Sequence, residues 1–201
     1  MIQFVDSCKT HEDFFIITDF YNGGTLTKII TKEILLSDEQ VQFLGKQMLE
    51  AQKALFDDLN AIHRDIKPDN YLLHMPKYEE GKMVEYSSAE ELFKNEIRLI
   101  LCDFGIAKVL INEDVAETVA GTRLYWAPER WEQEEYGIKS EMWALVCILF
   151  ELAHGRTPFP GNKGVSVYKT ALMKGNVYLD KDRDYSLEFL HLLAHSLTMN
   201  I

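Results

Sequence analysis

Paired cysteines, positive charge and long apolar runs are what this 201-residue chain lacks. Cys8, Cys102 and Cys147 form an odd set without C-x-x-C spacing. That excludes a disulfide scaffold and a structural metal site, and it fits a reducing compartment. Lys and Arg total 21 against 32 Asp and Glu, a net charge of −11. Such a balance argues against nucleic acid and against anionic membrane surfaces as partners; the acidic excess is read as solubilising. No signal-peptide pattern opens the sequence. Its most apolar run, Trp143 to Leu152, is too short to cross a bilayer, and a buried helix explains it better. Repeats and low-complexity tracts are absent. What is left is a globular chain, 47% hydrophobic, able to bury one good core. Its expected location is the cytoplasm, with the nucleus as the alternative.

The patterning mixes helices and strands. Phe14 to Thr18 is a continuous apolar strand, and Asp19-Phe20-Tyr21-Asn22-Gly23-Gly24 breaks it with turn residues. A short helix is expected over Thr25 to Thr31. Ser37-Asp38-Glu39-Gln40 is a capping box with acids in the first turn. Val41, Leu44, Met48, Ala51, Leu55 and Leu59 follow at three- and four-residue steps, one apolar stripe on a long helix. Tyr71 to Leu73 and Ile97 to Leu101 read as strands. Between them Ser88-Ala89-Glu90-Glu91 is a second capping-box match, predicting a helix over Ala89 to Asn95. The run from Trp143 is apolar nearly all round, the mark of a helix buried on most sides, with Ser140 as its expected N-cap.

Four motifs occur in order along this framework. His63-Arg64-Asp65-Ile66-Lys67-Pro68-Asp69-Asn70 has the order H-R-D-x-K-x-x-N. Ile100-Leu101-Cys102-Asp103-Phe104-Gly105 is an apolar strand running into D-F-G. Gly121 to Glu129 ends in A-P-E, and Ser140-Glu141-Met142-Trp143 opens the apolar helix. A carboxylate, an ammonium and a carboxamide at this spacing, followed by D-F-G and A-P-E, resemble the eukaryotic protein kinases of serine/threonine type. The resemblance covers nearly the whole chain. It implies an α+β, protein-kinase-like fold: a mainly helical C-terminal lobe with a short remnant of the N-terminal sheet. Residues 1–18 would end the small lobe, 19–24 form the hinge and 25–201 the large lobe, with an insertion around 75–96 where the family has a tight turn.

The roles the resemblance implies are specific. Asp65 would accept the proton of the substrate hydroxyl, and Lys67 would bridge Asp65 to the γ-phosphate. Asn70 and Asp103 would hold Mg²⁺ as hard oxygen ligands. Thr18 falls at the gatekeeper position, Asp19, Phe20 and Tyr21 face the purine, and Leu72 packs under the adenine with Ile148 and Leu152. Lys67 and the Gly121-Thr122 pair both point to serine/threonine substrates, with Thr122 bonding Asp65 and Lys67. Arg64 needs an anion when its loop is ordered. A phosphate on Thr118 would supply it, with Lys108 as the second partner. His63 and Phe104 form a packed spine with Phe4 above them. Glu129 is the A-P-E glutamate. Glu141 stands where the family has an aspartate that clamps the catalytic-loop backbone, one methylene longer. Cys102, just before D-F-G, would line the nucleotide pocket or fill space as a small buried hydrophobe; the second is favoured.

The sequence departs from the family at its ends. No G-x-G-x-x-G and no V-A-I-K-like segment occurs in it, and it stops before the arginine expected to pair with Glu129. Both ends therefore read as trimmed. The implied cofactors are ATP and Mg²⁺; the implied partners are a protein substrate and small-lobe residues or flanking domains outside this chain. The competing reading is a pseudokinase-like binding or scaffold protein. The intact set Asp65, Lys67, Asn70 and Asp103 speaks against it.

Overall fold

The computed structural model describes residues 1–104, 108–109 (backbone only), 123–131, 136–159, 177, 179 and 184–197. The elements run β1 (Phe4–Lys9), β2 (Phe14–Thr18), α1 (Leu26–Thr31), α2 (Asp38–Leu59), β3 (Ala61–Ile62), a 3₁₀ turn (Pro68–Asn70), β4 (Tyr71–His74), α3 (Ala89–Phe93), β5 (Arg98–Leu101), β6 (Lys108–Val109), a second 3₁₀ turn (Arg123–Tyr125), α4 (Pro128–Trp131), α5 (Ile138–His154) and α6 (Leu187–Ser196). The fold is α+β. Among the described residues the strands form three antiparallel pairs, β1–β2, β3–β6 and β4–β5.

Helix α2 begins where the capping box predicts. The Ser37 hydroxyl accepts from the Gln40 amide, and the Gln40 side chain accepts from the Ser37 amide at 2.9 Å, an arrangement worth about 1 kcal/mol. Val41, Leu44, Met48 and Leu55 are buried as the stripe requires. Leu59 is not: it is 53% exposed, because the helix ends there and Asn60 turns left-handed at φ 45°. Each of the buried four contributes roughly 1.5–3 kcal/mol by leaving water.

Helix α5 is the centre of the core. All residues from Trp143 to Ala153 are buried, and α2, α1 and α6 pack on it. Gly155 closes it at φ 68°, a left-handed turn that glycine adopts without strain. Ser140 is not its N-cap. The helix starts earlier, at Ile138, with Gly137 as cap, and Ser140 sits in the first turn. There its hydroxyl accepts from the Gly137 amide at 3.3 Å and donates to Glu129 at 2.5 Å. The sequence signal was a real capping oxygen read from the wrong side.

The segment between β4 and β5 is a packed part of the fold. Val84, Tyr86 and Leu92 are buried, and Ser88 caps α3 by accepting from the Glu91 amide at 3.1 Å. The reciprocal half of that box goes one residue astray: the Glu91 carboxylate takes the amide and hydroxyl of Ser87. The β1–β2 pair is the opposite case. Phe14, Phe15, Ile16 and Ile17 are all exposed. Phe4, expected on the spine above His63 and Phe104, is 57% exposed on β1, because no described element covers either face of that hairpin.

Candidate active site

The loop from His63 to Asn70 leaves α2 and β3 and feeds β4. Its anchoring starts beneath it. Tyr71 is fully buried, and its hydroxyl accepts from Gln52 of α2 at 3.2 Å. His63 is likewise buried; its Nε2 lies 2.8 Å from the Cys102 carbonyl, and its ring meets Phe104 at 5.0 Å between centroids. Burial holds the His63 pKa below the usual imidazole value, which favours a neutral packing ring. The two expected spine members His63 and Phe104 therefore do touch.

Arg64 sits at φ 72°, a left-handed backbone that costs a non-glycine residue energy and must be held. It is held at both peptide ends. Its amide donates to Glu141 Oε1 at 2.6 Å, and its carbonyl accepts from Arg130 Nη1 at 3.1 Å. Arg130 lies over the rings of Trp126 and Tyr136, 4.2 and 5.0 Å from their centroids. Glu141 is fully buried, and burial pushes its carboxyl up to about 7, against the pull of the Arg64 and His63 amides. Its Oε2 makes no hydrogen bond. The extra methylene thus leaves the amide clamp in place.

Asp65 is held by two neighbours within the loop. Lys67 Nζ donates to its Oδ2 at 2.5 Å, with both side chains largely shielded. Asn70 Nδ2 donates to the Asp65 carbonyl at 2.7 Å and reaches Oδ2 at 3.3 Å. Asn70 is buried and engages these partners only through its nitrogen. Its amide oxygen, the atom a hard cation takes, is outside this network.

The β4–β5 ladder brings Asp103 to the same end. Tyr71 pairs with Leu101, and the Cys102 amide donates to the Asn70 carbonyl at 2.9 Å. Asn70 and Asp103 therefore leave adjacent strands side by side, though 33 positions separate them in sequence. Asp103 is exposed, at φ 62°. An amide oxygen and one carboxylate fit an ion that keeps its waters and shares phosphate oxygens. Among the described residues no larger cluster of His, Cys, Asp and Glu forms a metal cage. Burial raises the Cys102 thiol to about 11, so it is a protonated, half-buried group.

On the other side, residues 19–22 border a cavity of about 320 Å³ that His74, Pro76, Tyr78, Glu80 and Gly81 complete. The Thr18 hydroxyl donates to the Asp19 carbonyl at 3.2 Å. Phe20 is exposed, and Tyr21 accepts from the Gln3 amide at 3.0 Å while its ring meets His74 edge-on. Leu72 is half-buried and bridges to Thr25, while Ile148 and Leu152 are buried in α5. Thr118 and Thr122 lie outside the described residues. Lys108 is described only through its backbone, which pairs with Ile62.

Two features escaped sequence reasoning. Arg130 directly follows A-P-E, but nothing in its position shows that it holds a carbonyl 66 residues away. Tyr125 is buried and donates to Glu151 at 2.7 Å, tying the A-P-E segment to α5. A charged residue in the apolar run from Trp143 was the available signal: a buried acid needs a partner.

A family model for the protein kinase domain matches residues 1–201. The chain is 29% identical over its full length to serine/threonine-protein kinase ATG1c of Arabidopsis thaliana, covering 25% of that protein. It is 31% identical over 191 residues to serine/threonine-protein kinase TIO of the same plant, which is 94% of this chain and 13% of that protein. Against the DNA damage response protein kinase DUN1 of Saccharomyces cerevisiae it is 29% identical, over 96% of this chain and 37% of that protein. The chain thus spans about a quarter of the length of the first two curated relatives, both Arabidopsis ATG1 kinases. With the family model matched from end to end, the chain belongs to the protein kinase domain family.

Proposed function

We propose that this chain is the large-lobe part of a serine/threonine kinase catalytic domain that transfers the γ-phosphoryl group of ATP to a protein hydroxyl. The observation that carries the reading is Asp65 fixed by Lys67 and Asn70, beside the end of β5 that presents Asp103. Phosphoryl transfer asks the protein for positioning and charge compensation more than for covalent chemistry. Asp65 orients the acceptor hydroxyl and takes its proton. Lys67, already on Asp65 Oδ2, places a cation between that carboxylate and the transferred group. Asn70 Oδ1 and the Asp103 carboxylate would hold Mg²⁺, which would neutralise phosphate charge. Thr18, Asp19, Phe20 and Tyr21 form the adenine side of the cleft, over Leu72.

Serine/threonine specificity rests on Lys67, on Gly121-Thr122 and on the names of the relatives. Thr118 is the candidate activating phosphosite, with Arg64 and Lys108 as its cationic partners. The described cysteines are free thiols, which supports a reducing compartment, the cytoplasm or nucleus. No described helix is long and apolar enough to cross a membrane.

The test is transfer of labelled γ-phosphate by the full-length protein to a peptide library containing serine, threonine and tyrosine. Phosphoserine or phosphothreonine is the expected product. No transfer in the presence of ATP and Mg²⁺ would favour a scaffold, and phosphotyrosine alone would overturn the substrate class.

A further inference from the structure

The segment between β4 and β5 is bonded to the chain between β2 and α1, and the Asn22 side chain makes two of those bonds. Asn22 is 3% exposed. Its Nδ2 donates to the Met75 carbonyl at 3.0 Å, and its Oδ1 accepts from the Met75 amide at 2.8 Å. Its own carbonyl accepts from the Val84 amide at 2.7 Å. A primary carboxamide is the side chain that can pair with the N–H and the C=O of one residue at once. Met75 is fully buried; its carbonyl also accepts from the Tyr78 amide at 3.2 Å, but its amide has Asn22 Oδ1 as its acceptor and would lose it without that side chain.

Neighbouring residues continue the seam. The Gly23 amide donates to the Leu73 carbonyl at 2.8 Å, and the Leu73 amide to the Gly24 carbonyl at 2.7 Å. A Cβ on Gly23 would lie 2.6 Å from the Leu73 Cβ, so only glycine allows this approach. The Tyr86 hydroxyl donates to the Gly23 carbonyl at 3.3 Å. Lys28 of α1 and Lys32, the cap residue just past its end, straddle the Tyr86 ring, both pair with Glu85, and they donate to the Val84 and Tyr86 carbonyls at 3.0 and 2.7 Å. A loop that merely tolerates its length needs none of these bonds.

We infer that Asn22 is a positioning residue for nucleotide binding, through which residues 75–86 fix the backbone of residues 19–21 and so set the affinity for ATP. Asn22 does not touch the nucleotide; its side chain is spent on Met75. This rests on the proposed reading of residues 19–21 as the adenine side of the cleft.

The experiment is steady-state kinetics of the full-length protein, with KM for ATP and kcat determined separately beside thermal unfolding. Asn22→Ala is expected to raise KM for ATP about tenfold with kcat held within about twofold, on the scale of a lost buried hydrogen-bond pair. Asn22→Asp keeps the acceptor and loses the donor; its KM should rise less, about threefold. Glu85→Ala, remote from the cleft, should move KM the same way by about twofold. If Asn22→Ala does not accumulate as folded protein, the other two variants carry the test. An unchanged KM, with only kcat or thermal stability lowered, means a purely structural role and overturns the inference. Asp65→Asn in the same assay separates the failures. If it abolishes transfer while KM is insensitive to Asn22, the inference alone falls. If it transfers phosphate like the wild type, the catalytic reading falls and takes the inference with it.

Discussion

The Arg64 amide donates to the Glu141 carboxylate at 2.6 Å, joining the His63–Asn70 loop to the central helix across 77 positions of sequence. The bond places a buried acid under a left-handed backbone turn. Burial raises that acid to about 7 from an ordinary 4.5, so between those values the fold holds a proton that the unfolded chain releases. The resulting contribution is full below pH 4.5 and is lost as pH rises through about 7, on the order of 3 kcal/mol in all. Denaturant unfolding of the wild type should therefore weaken from pH 5 to pH 8 relative to Glu141→Gln, which keeps an acceptor and does not ionise. Parallel pH profiles for the two proteins would show that Glu141 titrates normally.

The elements legible in the sequence are those whose signal is local. The Ser37–Gln40 box, the stripe on α2, the β4–β5 strands and the apolar α5 each announce themselves through neighbours three or four residues apart or by alternation, and the structure has them. The motif residues Asp65, Lys67 and Asn70 also fall together, because a short loop with a 3₁₀ turn leaves them little freedom. What sequence could not show is long-range pairing. Asn22 with Met75, Arg130 with the Arg64 carbonyl and Tyr125 with Glu151 join residues 26 to 66 positions apart, and no periodicity encodes such partners. The misplaced cap at Ser140 has a different cause: a serine three residues inside a glycine-started helix has the same side chain as one at its start.

Tyr125→Phe tests the tie between the A-P-E segment and α5. The substitution keeps the ring and deletes the hydroxyl that satisfies Glu151, whose carboxyl burial already pushes upward. A buried acid without its partner should cost about 1–3 kcal/mol. Thermal unfolding reads the loss directly; an unchanged midpoint would mean that solvent reaches Glu151.

Asp103→Asn should separate metal handling from the fold. Asp103 is exposed at the end of β5 and carries none of the core. The variant should unfold like the wild type, while Mg²⁺-dependent ATP affinity of the full-length protein falls at least about tenfold. Chelation with EDTA should lower wild-type affinity to the level of the variant. Equal Mg²⁺ dependence in both proteins would remove Asp103 from the metal site.

Residues 1–201 produced alone should self-associate, because both faces of β1–β2 carry exposed Phe and Ile side chains. Phe14→Lys with Ile16→Lys should shift sedimentation toward the monomer. Residues 1–201 hold no G-x-G-x-x-G and no V-A-I-K-like segment, so any transfer activity of these residues alone should lie at least about 10³-fold below that of a kinase domain that carries both, for want of phosphate cover and positioning. A monomeric, fully active piece would contradict both expectations.

Single-turnover transfer from ATP by the full-length protein, wild type against Asp65→Asn, is the most direct test of the catalytic assignment. The account predicts that the variant binds ATP with Mg²⁺ as the wild type does and transfers phosphate at least about 10³-fold more slowly. Transfer at the wild-type rate would contradict it, because the carboxylate that Lys67 and Asn70 hold in place would then have no part in the reaction.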